Sequence, residues 1–434
     1  MEWRSLEGSG EPLRAASWPI GGGIAVAWML VVPLLLPQGY WLAPLPLLLV
    51  AGFAWQQRPV RYAMTWPQGL AVAALLGFAA SELLALQGEG AAGRAPSTAA
   101  AALLAAALVV ALAWRRPPLA GWWAGLALSG TGGGLWALWQ AGVEGARRAN
   151  GHGEVNAILF GNLALLSGLL CLAGLGWAWQ QRRRWPWLVA LLLGAIGGLL
   201  ASALSGTRGG WLALPLAALV FYRAYLRGWP PRWRWLTIAG VGLVLASLYL
   251  APQSGVQQRV GVAMDEASDY LAGEPRGSVG ARLEMYRGAA MLIVESPWRG
   301  VGHGGYAEAM GELVEQGRVA PGMDRYWHAH NDPLDAWVRR GLPALLALLA
   351  LYLLPLWVFT PRLMASDPET RSLAVAGLLL PLTFIDFGLS YAFFAYPVGI
   401  LVYGGWLALL LAFTGATSAS VVRGDCLGLD SPAR

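Results

Sequence analysis

Residues 327–335 (WHAHNDPLD) contain the side chains best suited to acid–base chemistry. His330 lies directly before a predicted helix, because Pro333 suits the first helical turn and Asp332 suits the N-cap position. The dipole of that helix disfavours a protonated imidazole, whereas the Asp332 carboxylate favours it. An imidazole that stays mostly neutral can accept a proton at physiological pH. His330 is therefore a candidate general base.

Two other interpretations of this segment remain open from the residues alone. A lone loop histidine more often bonds to the backbone in a structural role, and that interpretation of His330 is favoured at this stage. His328 and His330 form a His-x-His pair of the kind found in metal sites, but no third ligand follows nearby. The short connection at residues 37–39 has no carboxylate, which argues against a metal-dependent lipid-sugar transferase. We therefore predict no metal site.

Arg208 occupies a tight turn, residues 205–211 (SGTRGGW), between two apolar segments. An arginine beside an exposed helix N-terminus is suited to binding an anion, and Thr207 is placed to cap that helix. An arginine at the membrane edge is costly unless it is paired. This favours a functional role over a side chain that only extends to the interface.

Arg282 and Arg287 lie five residues apart on one predicted helix and do not share a face. Arg282 and Tyr286, four residues apart, do share one, and so do Glu284 and Arg287. One arginine can therefore face a membrane-edge site while the other faces solvent. From the residues alone, a solvated helix face is the favoured interpretation.

The composition excludes an ordinary cytosolic enzyme. The chain is 57% hydrophobic and 12% charged, whereas soluble domains contain about 25% charged residues. All 30 basic residues are arginine, which excludes chemistry that needs a lysine Schiff base or a phosphate-loop lysine. The net charge of +6 is scattered among the ends of apolar segments, so no nucleic-acid partner is predicted. Cys171 and Cys426 lie in different environments, and no disulfide is expected.

The apolar segments predict an all-α polytopic membrane protein with about twelve transmembrane helices. The predicted spans cover roughly residues 18–36, 39–55, 66–87, 97–114, 119–141, 155–178, 187–205, 209–226, 235–251, 341–359, 372–390 and 393–413. Short arginine-rich loops fall on alternate connections, which predicts that both termini are cytoplasmic. All four histidines, and the membrane carboxyls Glu82 and Asp386, then lie toward the outer side. Each carboxyl is expected to pair with an arginine or to line a common chamber.

One long polar insertion interrupts this pattern, and the predicted orientation places it in the periplasm. Within it we expect helices at residues 256–272 and 279–296, a glycine turn at 300–305 and a short helix near Pro333. The predicted organisation has three parts: residues 1–251 with transmembrane helices 1–9 and short loops, residues 252–340 as a periplasmic helical loop or lid that carries the catalytic motifs, and residues 341–434 with helices 10–12 and a cytoplasmic tail.

Several short motifs stand in an order and spacing that resemble the bacterial O-antigen ligase family, within the O-antigen ligase/polymerase superfamily. His330-Asn331, nine residues and Gly341 resemble the family's His-[Asn/Ser/Gln]-x9-Gly-x-x-Thr pattern, although Ala344 stands in place of the threonine. The resemblance covers most of residues 140–350. Further similar stretches are Thr207-Arg208-Gly209, Arg282-x4-Arg287-x-Ala-Ala, Ser296-Pro297-x-x-Gly300-Val301-Gly302, and the run from Arg147-Arg148 through Asn156 to Asn162.

This resemblance implies a GT-C-like fold and a glycosyltransferase of the bacterial inner membrane. The implied reaction is an inverting transfer of a glycan from undecaprenyl diphosphate to a sugar hydroxyl of lipid A–core, without a cofactor or metal. His330 would act as the base, and Arg208 and Arg282 would hold the diphosphate. Residues implied to contact the diphosphate or the glycan are Arg287, Arg147, Arg148, Asn156, His328, Asn331 and Tyr326.

Two other functions remain as alternatives. An O-antigen polymerase would use the same donor but extend another lipid-linked glycan; such polymerases often have two sizeable outer loops, whereas this chain has one. A polytopic transporter or lipid flippase also fits the number of spans and the contact with membrane lipids. Transporters, however, place binding groups near the bilayer midplane, and the candidate groups here cluster at the outer edge.

Overall fold

The computed structural model describes residues 21–57, 64–86, 95–113, 116–152, 156–207, 209–250, 256–275 and 277–424. Every regular element in these ranges is a helix, and most of the apolar helices pack side by side in one bundle. The predicted fold class, an all-α polytopic membrane protein, is confirmed.

The bundle helices coincide with the segments in which the sequence predicts spans. They are α1 (Gly22–Leu35), α2 (Gly39–Leu42), α3 (Pro44–Gln57), α4 (Trp66–Leu84), α5 (Ala95–Ala113), α6 (Leu119–Gly142), α7 (Ala157–Ala173), α8 (Leu175–Trp179), α9 (Arg184–Leu204), α10 (Ala213–Phe221), α11 (Pro231–Leu250), α16 (Leu342–Phe359), α17 (Pro368–Ser390) and α18 (Pro397–Gly424). A 3-10 turn (Gly209–Leu212) precedes α10, and a π-helical turn (Tyr222–Leu226) follows it.

Eight helices in the described part of the chain are long and apolar enough to cross a membrane. Helix α1 and residues 39–53 are apolar but shorter. The 14 residues of α1 rise about 21 Å, less than the roughly 30 Å of a hydrocarbon core. Helix α6 is long enough, but glycine and tryptophan make it less apolar. The predicted number of twelve spans therefore stays a prediction.

The long insertion folds into four helices with a small hydrophobic core of its own. These helices are α12 (Val256–Leu271), α13 (Gly277–Glu295), α14 (Gly305–Glu315) and α15 (Asp332–Arg340). Their core includes Leu292, Tyr306, Met310 and Val338. The two predicted long helices of this region and the short helix near Pro333 are confirmed, whereas α14 was not predicted.

Two predicted helix caps are wrong. The N-cap of α15 is Asn331, whose side-chain oxygen accepts a hydrogen bond from the Leu334 N–H, while Asp332 is the first helical residue. The Asp332 carboxyl instead contacts the bundle, where it accepts a hydrogen bond from the Phe394 N–H at 2.8 Å. Thr207 does not cap α10, because the N-cap position of that helix is Leu212; the Thr207 hydroxyl donates to the carbonyl oxygen of Ala157.

Candidate active site

Most of the predicted site residues meet at one end of the bundle. We call this the loop end: it comprises the N-terminus of α7, the turn at residues 205–210, the connection at residues 391–396 between α17 and α18, and the insertion packed on them. The segment at residues 326–331 enters the loop end directly before α15. Residues far apart in sequence thereby contact one another around His330.

The backbone of His330 adopts a left-handed conformation, with φ of 51°. Among the described residues, only Gln38 shares this property without being glycine. Such a conformation costs about 1–2 kcal/mol and is maintained only where surrounding contacts enforce it. Here the His330 N–H donates to Nδ1 of His328 at 3.1 Å, and the Tyr286 hydroxyl lies 3.3 Å from the His330 carbonyl oxygen.

The His330 ring is arranged to act as a base through Nε2. Its Nδ1 lies 3.3 Å from the carbonyl oxygen of His328, so the proton resides on Nδ1 and the lone pair on Nε2. Partial burial lowers the pKa of His330, and the nearby charge of Arg282 lowers it further. The hydrogen bond to His328 and the charge of Asp335 oppose this shift. A lowered pKa keeps the imidazole neutral around pH 7.

His328 is buried at 2% exposure and connects His330 to the bundle. Its Nδ1 accepts the His330 N–H, so its Nε2 carries the proton and faces the Tyr396 hydroxyl at 3.4 Å. The Tyr391 hydroxyl donates to Tyr396 at 2.6 Å, and the side-chain amide of Asn156 donates to Tyr391 at 2.6 Å. A chain of hydrogen bonds therefore runs from the start of α7 to the two histidines.

The rings around His330 form an aromatic wall. The His328 and His330 ring centroids are 4.1 Å apart, and Tyr326 and Tyr391 meet His330 edge-on at 5.3 and 5.5 Å. The structure thus brings Tyr326 to His330. Asn331 adjoins His330 in sequence and is occupied as the cap of α15, while the Asn156 oxygen caps α7. Substrate contact by these residues stays a prediction.

The two arginines of α13 lie in different environments. Arg282 is partly buried beside His330; one of its terminal nitrogens donates to the Ser278 hydroxyl at 3.4 Å, and its buried Nε has no hydrogen-bond partner among the described residues. A guanidinium nitrogen in this state is suited to binding an anion. The Arg287 side chain is 52% exposed and pairs with Glu284 at 3.4 Å. The sequence correctly predicted that these residues do not share a face.

Arg208 lies outside the described residues, but the turn on either side of it is well defined. Arg148 stabilises the turn by two hydrogen bonds. Its Nε donates to the carbonyl oxygen of Ser205 at 2.7 Å, and its guanidinium group also contacts the Thr207 hydroxyl. A Cβ on Gly209 would overlap the Ser390 hydroxyl, so the turn packs closely against α17. Arg147 is exposed. Arg148 thus has an observed structural contact, and its predicted contact with substrate stays a prediction.

The predicted pairing of the membrane carboxyls is confirmed for Glu82, which forms an ion pair with Arg340 and lies 2.9 Å from Nε2 of His303. Asp386 instead accepts a hydrogen bond from the Ala213 N–H at the start of α10. Within the described ranges, no group of three or more His, Cys, Asp or Glu side chains is placed to hold one metal ion.

Sequence reasoning did not identify Tyr391 and Tyr396, which support His328. Both lie in the connection between two apolar spans, where hydroxyls near a membrane surface are common and give no specific signal. Their role depends on the packing of α7 and α17 against the insertion.

Comparisons with known proteins agree with the motifs. Residues 193–349 match the sequence model of the family described as O-antigen ligase. An O-antigen ligase of Escherichia coli (strain K12) is 25% identical over 223 residues, which are 51% of this chain and 51% of that protein. An uncharacterized protein of Haemophilus influenzae is 30% identical over 216 residues, which are 50% of this chain and 53% of that protein. The chain thus spans about half the length of the curated relatives it matches.

The predicted resemblance is confirmed for this part of the chain, because residues 193–349 match the O-antigen ligase family model. The matched region includes the Arg208 turn, helix α13 and the His330 segment. With the apolar helices, this match indicates a protein of a bacterial inner membrane.

Proposed function

We propose that this protein is an O-antigen ligase that transfers a glycan from undecaprenyl diphosphate to a sugar hydroxyl of lipid A–core. The observation that carries the proposal is the geometry of His330. Its Nδ1 faces a carbonyl oxygen, which leaves the lone pair on Nε2, and Arg282 lies near enough for its charge to lower the pKa of His330. The family domain supports this chemistry.

In the proposed reaction, Nε2 of His330 takes the proton from the acceptor hydroxyl. The hydroxyl oxygen forms a bond to the anomeric carbon on the face opposite the diphosphate. The bond from that carbon to the diphosphate oxygen breaks, and its electron pair leaves with the diphosphate. The configuration at the anomeric carbon is therefore inverted, and the proton rests on the imidazolium of His330.

The leaving diphosphate needs positive charge, and we assign that role to Arg208 and Arg282. Arginine binds phosphate oxygens in a bidentate manner, so two guanidinium groups can neutralise the charge that develops on the leaving oxygen. Two features support the assignment: the unpaired Nε of Arg282, and the bracing of the Arg208 turn by Arg148. We propose that this chemistry needs no divalent metal ion.

The proposed location of the site is the periplasmic face of the inner membrane, with both termini in the cytoplasm. Arginine-rich connections lie at the end of the bundle opposite the loop end, which supports this orientation. A lipid-linked donor is already activated, so the reaction requires no nucleotide outside the membrane.

The proposal is tested with purified protein in liposomes that contain undecaprenyl-diphosphate glycan. Lipid A–core is supplied in one reaction and additional lipid-linked repeat units in another, each with a chelator present. The matched variant is His330→Asn, because asparagine tolerates the left-handed backbone conformation and lacks a basic ring nitrogen.

We expect a lipid A–core product of higher mass from the wild-type protein alone. Longer lipid-linked chains without any lipid A–core product would identify a polymerase instead. Movement of labelled lipid across the bilayer without a new glycosidic bond would support a transporter. Dependence on an added divalent ion would contradict the metal-independent mechanism.

A further inference from the structure

Behind the His330 segment lies a buried cluster of charged side chains that the proposed reaction does not use. It consists of Glu82 on α4, His303 in the glycine turn, and Asp335, Arg339 and Arg340 on α15, and we call it the buried charge network. Glu82 and Asp335 are each about 1% exposed. Burying several charges at a membrane edge has a large desolvation free energy, so packing alone does not explain why these residues are charged.

The network is continuous from the membrane bundle to α15. Glu82 pairs with Arg340 and with Nε2 of His303. Nδ1 of His303 contacts the guanidinium group of Arg339, which in turn pairs with Asp335 at 3.0 Å. Two carboxylates thus balance two guanidinium groups.

Asp335, at one end of the buried charge network, contacts the segment that contains the candidate base. Oδ1 of Asp335 accepts a hydrogen bond from the Ala329 N–H at 3.1 Å, while Oδ2 holds Arg339. Ala329 directly precedes His330, whose backbone is left-handed, so this contact holds the chain one peptide before His330. Asp335 touches the backbone beside His330 and has no direct contact with the ring.

Asp335 differs from Asp332, its neighbour on the same helix. Both are buried, but the Arg339 charge holds the pKa of Asp335 below its usual value despite burial. Burial raises the pKa of Asp332 well above its usual value, and its oxygens accept hydrogen bonds from the Phe394 N–H and the Tyr352 hydroxyl. Asp335 is therefore the member of the pair that faces a guanidinium group, whereas the Asp332 carboxyl packs against the bundle.

We propose that Asp335 is a positioning residue for His330, held in place by the buried charge network. In this arrangement the network ties the His330 segment to α4. The backbone also joins the two, because the His303 N–H donates to the carbonyl oxygen of Ala85 at the end of α4. The negative charge near the ring also favours the imidazolium that forms when His330 accepts a proton. The inference rests on the proposed function for its kinetic readout.

The test compares Asp335→Ala with Asp332→Asn in full-length protein in liposomes. Asp332→Asn is the matched control, because it changes an equally buried carboxyl on the same helix that contacts the bundle instead of Arg339. Asp335→Asn is a milder variant that can still accept the Ala329 N–H, in case Asp335→Ala folds poorly. The readouts are kcat and KM for the lipid-linked donor, and the hydrogen exchange of residues 326–331.

For Asp335→Ala we expect kcat to fall roughly ten- to a hundredfold, part of the contribution of a general base, with KM within about twofold of wild type. Hydrogen exchange at residues 326–331 should become faster, and Asp335→Asn should fall between wild type and Asp335→Ala. Asp332→Asn should stay close to wild type in both readouts.

Wild-type kcat in a folded Asp335→Ala protein, or a change in KM alone, would overturn the positioning role. So would equal losses in Asp335→Ala and Asp332→Asn, because they would show that only general packing matters. If the wild-type protein forms no product, the proposed function fails. The exchange comparison between the two variants then still decides whether Asp335 orders the His330 segment.

Discussion

The proton affinity of His330 is set by opposing neighbours. Partial burial and the Arg282 charge lower its pKa, while the Asp335 charge and the bond to the His328 carbonyl raise it. A base balanced in this way is neutral before the reaction and can still hold a proton briefly afterwards. The same arginine that is proposed to bind the leaving diphosphate thus also keeps the base unprotonated.

This dual role of Arg282 predicts a change in pH dependence. In Arg282→Gln, loss of the positive charge raises the pKa of His330. Because a general base must be unprotonated, the fall of kcat on the acid side should then begin at a higher pH than in wild type. Rates measured across the acidic range test this shift.

The control for this measurement is Arg287→Gln, on the same helix. Arg287 is half exposed and paired with Glu284, so its replacement should leave the acid side of the profile in place. An unchanged or lower onset in Arg282→Gln would contradict the proposed electrostatic coupling to His330.

At the residue scale, the sequence predicted which side chains lie together better than how they are bonded. The motif drew attention to His330 and Arg282, and both lie together in the structure. Asn331 and Asp332 are both good N-cap residues, and local signals could not separate them. The choice is made by the Phe394 N–H, which binds Asp332 from a connection 62 residues away.

At the scale of elements, helix α15 explains the spacing of the motif. The nine residues between Asn331 and Gly341 are the whole of α15, so the spacing in the motif equals the length of this helix. Gly341 then has φ of 79°, and the Leu342 N–H bonds to the Pro297 carbonyl oxygen. The corner between α15 and α16 thereby fixes the C-terminal end of the helix that bears Asp335.

From the backbone geometry of this corner, we predict that Gly341→Ala strongly destabilises the protein. Alanine disfavours this φ, and its Cβ would overlap the carbonyl oxygen of Trp298. We expect a loss of roughly 2 kcal/mol or more, from strain and displaced backbone, and a lower unfolding temperature of the purified protein.

The matched control is Gly240→Ala in α11, where an added Cβ meets no atom within 4 Å and alanine favours the helix. It should unfold at or slightly above the wild-type temperature. Equal unfolding temperatures for Gly341→Ala and wild type would show that the corner is not under the constraint described.

Regular elements were easier to predict than their contacts. Helices α12 and α13 follow from periodicity and from the proline at residue 297, because these signals are local. Helix α14 was missed because a glycine-rich turn at its start resembles a loop. The link from Asn156 through Tyr391 and Tyr396 to His328 joins elements more than 200 residues apart, which no local pattern reports.

For the whole molecule, the orientation of the bundle is open to a direct test. The proposed topology places the exposed Glu315 of α14 in the periplasm and the exposed Ser366, between α16 and α17, in the cytoplasm. With Cys171 buried and Cys426→Ser as background, a membrane-impermeant maleimide should label Glu315→Cys in intact spheroplasts.

Ser366→Cys should react in the same experiment only after the membrane is permeabilised. Labelling of Ser366→Cys in intact spheroplasts, with Glu315→Cys protected, would reverse the orientation and place the candidate site on the cytoplasmic side.

In the proposed mechanism, a neutral His330 at the loop end removes the proton from an acceptor sugar hydroxyl. The most direct measurement is the rate of lipid A–core glycosylation by the wild-type protein and by His330→Asn at matched folded concentrations. We predict product from wild type and a loss of at least about a hundredfold in the variant, since general base catalysis contributes typically 10²–10⁴-fold. Equal rates from the two folded proteins would contradict the account.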